Sequence, residues 1–324
     1  MTLSSRFALL ALLAAGPASA KPGASVWNGH TEDVTCLALS ADGKLAASGG
    51  ADKTVRLWDT AAGRCLAVYE GLESAVAAVA ISTDARSVLA VSDQLSSRRW
   101  DRATGGVLES HAGHGFFLYS AAFSPGGRLI LTGADDRALH LWDFAADREV
   151  SYWWGHFDYV AAVAFSADGS RALAGGEDSE VWDVDRGTVA VALRGITGVI
   201  LAAALSPDGR SAVTGGLEDK IKVWDARTGA LTAIWEGHAK PVRALAFSPD
   251  SRFVVSAGDD LTVRLWEAAS GRCLKVWTGH LDHVRAAAFF PDGKRALTAG
   301  DDRTLRVWDA AAAEAETALQ PLKP

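Results

Sequence analysis

The sequence is poor in several residue types, and each shortage narrows the class of protein. Only three of the 324 residues are cysteine (Cys36, Cys65 and Cys273), and none lies in a CxxC or CxxCH arrangement. Neither a redox motif nor a c-type haem attachment site is therefore indicated, and the odd count indicates a free thiol. The single asparagine, Asn28, is followed by Gly-His, so the chain has no N-glycosylation sequon.

A surplus of basic residues is also missing. The formal net charge is −7 and charged residues make up 22% of the chain. Because sequence-independent binding of DNA or RNA needs a basic surface, nucleic acid is not an expected partner. Hydrophobic residues make up 49%, which is enough for a large core in a soluble, mildly acidic globular protein.

Long hydrophobic runs are absent after residue 20. The first 20 residues, "MTLSSRFALLALLAAGPASA", combine Arg6, an apolar stretch over 7–15 and the small residues of "ASA" at 18–20. This pattern predicts a secretory signal peptide over 1–20, and hence export to a bacterial periplasm or the extracellular space. The stretch is about half as long as a membrane-spanning helix. A buried helix, a short anchor and a cytosolic scaffold with an apolar start are the alternatives.

Trp-Asp or Trp-Glu pairs recur along the chain at an almost constant spacing. Their tryptophans are Trp58, Trp100, Trp142, Trp182, Trp224, Trp266 and Trp308, with steps of 42 residues and a single step of 40. Turns such as "SADG" at 40–43 repeat with the same step and the same shortening, which places a two-residue deletion in the fourth unit. Each unit has the pattern of four short strands separated by turn residues.

Seven units with a Gly-His, a turn aspartate and a Trp-Asp resemble the repeats of the WD40 family over residues 24–309. The resemblance implies an all-β, seven-bladed WD40 β-propeller with four-stranded antiparallel blades over 21–310, followed by an Ala/Glu-rich tail over 311–324. It also implies that an N-terminal strand completes the last blade. Trp27 fits this role, because it continues a mostly aromatic series three residues before each His position. A second strand near Leu319 is the alternative.

His, Ser or Thr, and Asp recur at fixed spacing, which on its own is compatible with a hydrolase. The resemblance instead implies structural tetrads with Trp, in which four buried polar groups satisfy one another. The matching sets are His30, Ser48, Asp52 and Trp58 in blade 1, His114, Thr132, Asp136 and Trp142 in blade 3, His238, Ser256, Asp260 and Trp266 in blade 6, and His280, Thr298, Asp302 and Trp308 in blade 7. Because an active site is normally single, we expect no catalytic residue, cofactor or metal.

The other three blades depart from this pattern. The replacements are Leu72, Ala90 and Gln94 in blade 2, Ala174 for the hydroxyl in blade 4, and Ile196 and Glu218 for His and Asp in blade 5. We expect them to leave no unpaired polar group except Arg99. We also expect blades 2 and 4 to be locally less stable than the others.

The resemblance implies that partners meet the wide-channel "top" face at three positions in each blade. Apolar residues at these positions are Phe117, Tyr119, Tyr159, Val199, Leu201 and Leu217; basic ones are Arg243, His283 and Arg285; and acidic ones before the turn are Asp93, Asp135, Glu177, Asp259 and Asp301. The apolar set is typical of an interface anchor, unless it packs inward. The acidic set would attract a basic peptide or a cation, unless it consists of solvated turn carboxylates that Arg243 and Arg285 partly balance.

The expected function is a non-enzymatic protein–protein interaction scaffold that binds a protein or peptide on this top face. We expect a monomer without nucleic acid or a membrane anchor. The alternative is a periplasmic propeller enzyme, or a small-molecule or metal-binding protein that uses the channel mouth, because fold alone does not fix function. Metal-ligand spacing, an activated nucleophile outside the tetrads and a cofactor motif are all missing from the sequence.

Overall fold

The structure is a computed structural model and describes residues 24–94, 96–111, 118–146, 148–156, 159–194 and 198–311. Within these ranges, 28 strands form seven antiparallel sheets of four strands each. The prediction of a seven-bladed all-β propeller is therefore confirmed. No helix among the described residues has the length and hydrophobicity that crossing a membrane requires.

The first three strands of each blade run outward in chain order from the central channel. In blades 1 to 3 the strands are β2 (Val34–Leu39), β3 (Leu45–Gly50), β4 (Val55–Asp59) and β5 (Arg64–Tyr69); β6 (Val76–Ile81), β7 (Ser87–Ser92), β8 (Ser97–Asp101) and β9 (Val107–His111); and β10 (Leu118–Phe123), β11 (Leu129–Ala134), β12 (Ala138–Asp143) and β13 (Arg148–Trp154).

Blades 4 to 7 follow the same order, except that the outermost strand of blade 7 is the first strand of the chain. The strands are β14 (Ala162–Phe165), β15 (Arg171–Gly175), β16 (Ser179–Asp183) and β17 (Thr188–Leu193); β18 (Ile200–Leu205), β19 (Ser211–Gly216), β20 (Lys220–Asp225) and β21 (Leu231–Glu236); β22 (Val242–Phe247), β23 (Phe253–Gly258), β24 (Thr262–Glu267) and β25 (Cys273–Thr278); and β26 (Val284–Phe289), β27 (Arg295–Gly300), β28 (Thr304–Asp309) and β1 (Ala24–Asn28).

The ring closes through β1, which pairs antiparallel with β28 and places Trp27 opposite Leu305. Trp27 is 1% exposed and stacks on Trp58 of blade 1, with ring centroids 5.8 Å apart. Gly63, with φ +64°, lies against this indole where a Cβ would collide with it. The predicted N-terminal closure is thus present. Residues 1–20 and the competing segment near Leu319 lie outside the described residues.

The core lies between blades and is built from two repeated elements. Second strands are rich in small and aliphatic residues and are almost fully buried, as in Phe253–Gly258. Outer-strand aromatics stack on the tryptophan of the next blade in the pairs Tyr69–Trp100, Trp153–Trp182, Trp235–Trp266 and Trp277–Trp308, with ring centroids 5.4 to 5.8 Å apart. Such offset aromatic packing adds to the hydrophobic stabilisation of each blade interface.

The two-residue deletion of blade 4 shortens one turn at the tetrad aspartate. In blade 1, Lys53 (φ 62°) and Thr54 separate Asp52 from β4, whereas in blade 4 the strand begins directly after Asp178. Left-handed residues also occupy this turn in blades 3, 6 and 7, at Arg137, Leu261 and Arg303. Blade 4 therefore reaches its third strand by a tighter path.

Candidate functional site

Three blades contain a complete hydrogen-bonded tetrad. In blade 1, His30 Nδ1 lies 3.0 Å from Asp52 Oδ2 and His30 Nε2 lies 2.7 Å from Ser48 Oγ. Trp58 Nε1 donates to Ser48 Oγ at 2.8 Å. The same bonds join His238, Ser256, Asp260 and Trp266 in blade 6, and His280, Thr298, Asp302 and Trp308 in blade 7.

The protonation of these tetrads suits a structural role. Burial lowers the pKa of His30 in spite of the Asp52 charge, so the imidazole is neutral at neutral pH. It donates from Nδ1 to Asp52 and accepts the Ser48 hydroxyl proton at Nε2. Burial opposes ionisation of Asp302, but His280 outweighs it and lowers the pKa of Asp302 to about 2. Ser48 is fully buried, so no substrate reaches its hydroxyl.

In blade 3 the turn aspartate, Asp136, contacts a histidine of the third strand. His140 Nε2 lies 3.0 Å from Asp136 Oδ2, and His140 Nδ1 lies 2.7 Å from Glu149 Oε1. The Thr132 hydroxyl is buried without a hydrogen-bond partner among the described residues, and His114 lies outside them. Among the described members, Thr132 therefore does not bond to Trp142, and Asp136 contacts a third-strand histidine.

A pattern in the sequence that was not used above could have predicted the role of His140. The position two residues before each tryptophan is occupied by Arg56, Arg98, His140, Lys222, Arg264 and Arg306, all basic, and by Glu180 in blade 4 alone. In blade 7, Arg306 Nη2 lies 3.6 Å from Asp302 Oδ2. This position therefore provides positive charge beside the turn carboxylate, and blade 4 reverses that charge.

Blade 4 contains several buried polar atoms without partners. His156 Nδ1 lies 2.9 Å from Asp178 Oδ1, but His156 Nε2 and Trp182 Nε1 have no hydrogen-bond partner among the described residues. Ala174 is fully buried where the other networks have a hydroxyl. Glu180 Oε2 is also buried without a partner, and burial raises the pKa of this carboxyl. The expectation that the altered blades leave no unpaired group was wrong for blade 4, because alanine offers neither donor nor acceptor.

Arg99 of blade 2, which was expected to be unpaired, has two hydrogen-bond partners. Its Nε donates to Ser87 Oγ at 3.0 Å and its Nη1 lies 3.2 Å from Glu109 Oε1. The prediction that Arg99 is unpaired was therefore wrong, because the next strand supplies a carboxylate directly opposite it. Ser92 and Ser96 hydrogen-bond to each other at 2.8 Å near the altered tetrad positions.

Blade 5 replaces the imidazole network with an ion pair. Lys222 Nζ lies 2.9 Å from Glu218 Oε2, and the Lys222 side chain is 8% exposed. Trp224 Nε1 still donates to Thr214 Oγ1 at 2.9 Å. Ile196 lies outside the described residues. In blade 5, which has no histidine at the tetrad position, Lys222 of the third strand therefore forms the ion pair with Glu218.

About half of the predicted partner-binding positions line one cavity of about 590 Å³ at the mouth of the central channel. The first strands of consecutive blades contact one another around the ring, and β2 contacts β26, so the first strands surround a common axis. Among the predicted partner-binding residues, the cavity is lined by Tyr119, Tyr159, Leu201, Arg243, Arg285 and Asp301. Asp33 and Asp93 also line it.

The apolar part of this cavity contains an aromatic pair. Tyr119 and Tyr159 lie with ring centroids 4.6 Å apart at an angle of 34°, and Tyr119 is 49% exposed. Leu217 is 54% exposed but lines a neighbouring groove with Pro241, and Val199 is half-buried. Phe117 lies outside the described residues. The aromatic element at the described part of the mouth is therefore an exposed Tyr119 packed on a half-buried Tyr159.

The ionic part of the mouth is internally compensated in blades 6 and 7. Arg243 forms two hydrogen bonds of 2.9 Å to Asp259, and Arg285 binds Asp301 at 2.7 to 2.9 Å. His283 Nδ1 lies 3.7 Å from both aspartates. Asp135 and Glu177 are exposed and do not line the cavity. The acidic positions are therefore not equivalent around the ring.

Metal and thiol chemistry have little geometric support at the described residues. Asp282, His283 and Asp301 lie close enough together to share an ion, but Asp301 already accepts the bidentate Arg285 guanidinium. All three cysteines are free thiols, and burial raises the pKa of Cys36 to about 12. A thiol with such a pKa is a poor nucleophile at neutral pH.

Comparison with protein families matches six segments of the chain to the family described as "WD domain, G-beta repeat". The segments are 23–59, 105–143, 148–183, 188–225, 229–267 and 271–309, which together exceed half of the chain. Residues 60–104 are not matched. They contain the first three strands of blade 2, whose tetrad positions are replaced, although the structure forms a regular blade there.

Individual proteins match over short stretches. The chain is 51% identical over 41 residues to WD repeat-containing protein 18 of Bos taurus (13% of this chain, 10% of the relative). It is 46% identical over 43 residues to ribosome biogenesis protein BOP1 of Rattus norvegicus (13% and 6%), and 42% identical over 38 residues to protein tipD of Dictyostelium discoideum (12% and 6%). The matches thus span a tenth or less of each relative, about the length of a single repeat.

Proposed function

The chain belongs to the WD40-repeat family, and on that premise we propose that it is a protein-interaction scaffold whose top face binds a protein or peptide partner. WD40 propellers are generally non-enzymatic scaffolds that bind proteins. The observation that carries the proposal is the pairing of Tyr119 with Tyr159 at the edge of the channel-mouth cavity. Exposed aromatic residues beside a cavity are typical anchors of protein interfaces.

The tetrads support a scaffold in preference to a hydrolase. Their hydroxyls at Ser48, Ser256 and Thr298 are fully buried, and each lies between an imidazole and an indole that use its bonding capacity. A repeated constellation that is closed to solvent stabilises blades and offers no nucleophile to a substrate. The chemistry of this chain is therefore recognition at its surface.

We further propose that the protein acts outside the cytoplasm. The support is the leader pattern at 1–20, with its basic, apolar and small-residue regions in the order of a signal peptide. The intact mass of the mature protein tests this directly. Loss of residues 1–20 is the expected result, and a full-length mature chain in the cytosol would contradict it.

Replacement of both anchor tyrosines tests the scaffold function. The Tyr119→Ala/Tyr159→Ala variant should lose capture of the partner that the wild-type protein retains from its native compartment. Tyr152→Ala is the matched control, because Tyr152 is an exposed tyrosine on the outer strand β13, away from the channel-mouth cavity. Equal capture by a folded double variant would reject the proposed site.

A further inference from the structure

The channel-mouth cavity is divided into two chemically different halves. On the side of blades 6 and 7, the arginines Arg243 and Arg285 are each bound to an aspartate of their own blade. On the side of blades 1 and 2, Asp33 and Asp93 line the same cavity. Neither carboxylate forms an ion pair with a described residue. The negative charge is thus balanced on one side only.

One carboxylate oxygen of Asp93 accepts no hydrogen bond from a described residue. This atom, Oδ1, is buried. Asp93 lines the cavity beside two small residues, Ala75 and Ala77. A buried carboxylate oxygen without a donor is costly, and a charged donor would relieve that cost.

Asp33 is the other carboxylate on this side of the cavity. Burial, and then the nearby charge of Asp301, raise the pKa of Asp33, while Arg285 opposes them only in part. This wall of the cavity therefore favours an added positive charge and disfavours an added negative one. A Lys or Arg side chain has a long aliphatic stem, which suits a slot walled by alanines and a tyrosine.

From these contacts we infer that the partner inserts a lysine or arginine side chain toward Asp93 and Asp33, with an adjacent apolar side chain packed against Tyr119. The inference rests on the proposed function of the top face and specifies the chemistry of the segment that binds there. Tyr119 lines the same cavity and is half-exposed, so one short segment reaches both elements. In the half at Arg243 and Arg285 each carboxylate is already paired, so that half offers an incoming cation less than Asp93 and Asp33 do.

A displayed library of random short peptides tests this inference on the purified wild-type protein. Peptides are selected on the wild type and counter-selected on Tyr119→Ala/Tyr159→Ala, and their affinities are then measured by fluorescence polarisation. The expected peptides carry Lys or Arg next to an aromatic or branched apolar residue. Asp93→Asn should weaken their binding by about tenfold or more, the effect of losing one charged hydrogen bond.

Asp135→Asn is the control, because it removes the same charge from an exposed carboxylate outside the cavity. It should change the affinities by less than about twofold, since exposed charges are screened. Unfolding midpoints of both variants verify that each is folded. Tyrosine-dependent peptides that are acidic or neutral, or that bind Asp93→Asn as tightly as wild type, overturn the inference and leave the proposed function standing. A selection that yields no peptide preferring the wild type over Tyr119→Ala/Tyr159→Ala overturns both.

Discussion

The rings of His156 and Trp182 lie 6.1 Å apart, as close as the His–Trp pairs of the complete tetrads, yet no hydroxyl joins them. His156 Nε2 and Trp182 Nε1 are buried without partners among the described residues, and Ala174 stands where Ser48 stands in blade 1. Blade 4 therefore keeps the geometry of a tetrad and lacks one of its groups.

We predict that Ala174→Ser stabilises the protein. The new hydroxyl would join His156 and Trp182 as Ser256 joins His238 and Trp266 in blade 6. A restored buried hydrogen bond contributes about 1 kcal/mol, and more when it relieves unsatisfied donors. Urea denaturation measures the change in the free energy of unfolding.

The matched variant for that experiment is Ser256→Ala, which creates the blade 4 situation in blade 6. It should lower the free energy of unfolding by about 1–3 kcal/mol, since it strands two buried polar groups. If Ala174→Ser is neutral while Ser256→Ala is costly, the missing hydroxyl is not what weakens blade 4.

The pH dependence of stability should change when Glu180 is replaced. Burial raises the pKa of Glu180, so its stabilising contribution is full below the unfolded-state pKa and is lost as pH rises through the higher folded-state pKa. Glu180→Gln should therefore be more stable than wild type at neutral pH, with the advantage shrinking in acid. Thermal midpoints between acidic and neutral pH measure this.

Glu177→Gln serves as the comparison, because Glu177 is an exposed acid in the same blade. Its midpoint should follow that of wild type across the same pH range. A Glu180→Gln curve parallel to wild type would show that the buried carboxyl does not govern this dependence.

Local opening should differ between blades. We predict that amides of β15 and β16 in blade 4 exchange hydrogen faster than those of β23 and β24 in blade 6, with β7 and β8 of blade 2 between them. Blade 4 has stranded polar atoms, and blade 2 replaces the network with apolar packing around Leu72 and Ala90. Mass-resolved hydrogen exchange measures these rates. Equal protection in blades 4 and 6 would contradict the prediction.

The N-terminal clasp should contribute strongly to stability. Trp27→Ala removes a fully buried indole that stacks on Trp58, and it should cost about 3–5 kcal/mol. Val26→Ala is the control, because Val26 lies on the opposite face of the same strand and is only half-buried. Similar losses for the two variants in urea denaturation would show that Trp27 has no special role in closing the ring.

The sequence alone was sufficient to predict the architecture. The 42-residue period, the turn residues and the outer-strand aromatic series determine seven blades and the position of Trp27, and all of these are local patterns. Three tetrads also followed from the resemblance to WD40 repeats, because a repeat places equivalent residues at equivalent points. The convergence of Tyr119, Tyr159 and Arg243 on one cavity follows in the same way.

The altered blades could not be predicted in the same detail, because their side-chain pairs depend on contacts that the repeat period does not encode. Arg99 finds Glu109 across a strand pair, and Lys222 finds Glu218 at a position where other blades have a different network. The sequence suggested that Arg243 and Arg285 partly balance the acidic positions, but only side-chain geometry shows that they bind Asp259 and Asp301. Such pairings depend on rotamers and burial, so sequence position could suggest neighbours but not which of them bond.

Photo-crosslinking tests the central claim, binding at the top face, most directly. A photoreactive phenylalanine analogue is placed at Tyr119, beside the channel-mouth cavity, and in a second protein at Asp208, an exposed turn residue outside the cavity. We predict that the native partner crosslinks to position 119 and not to position 208. Crosslinking at position 208 with none at 119 would contradict the account.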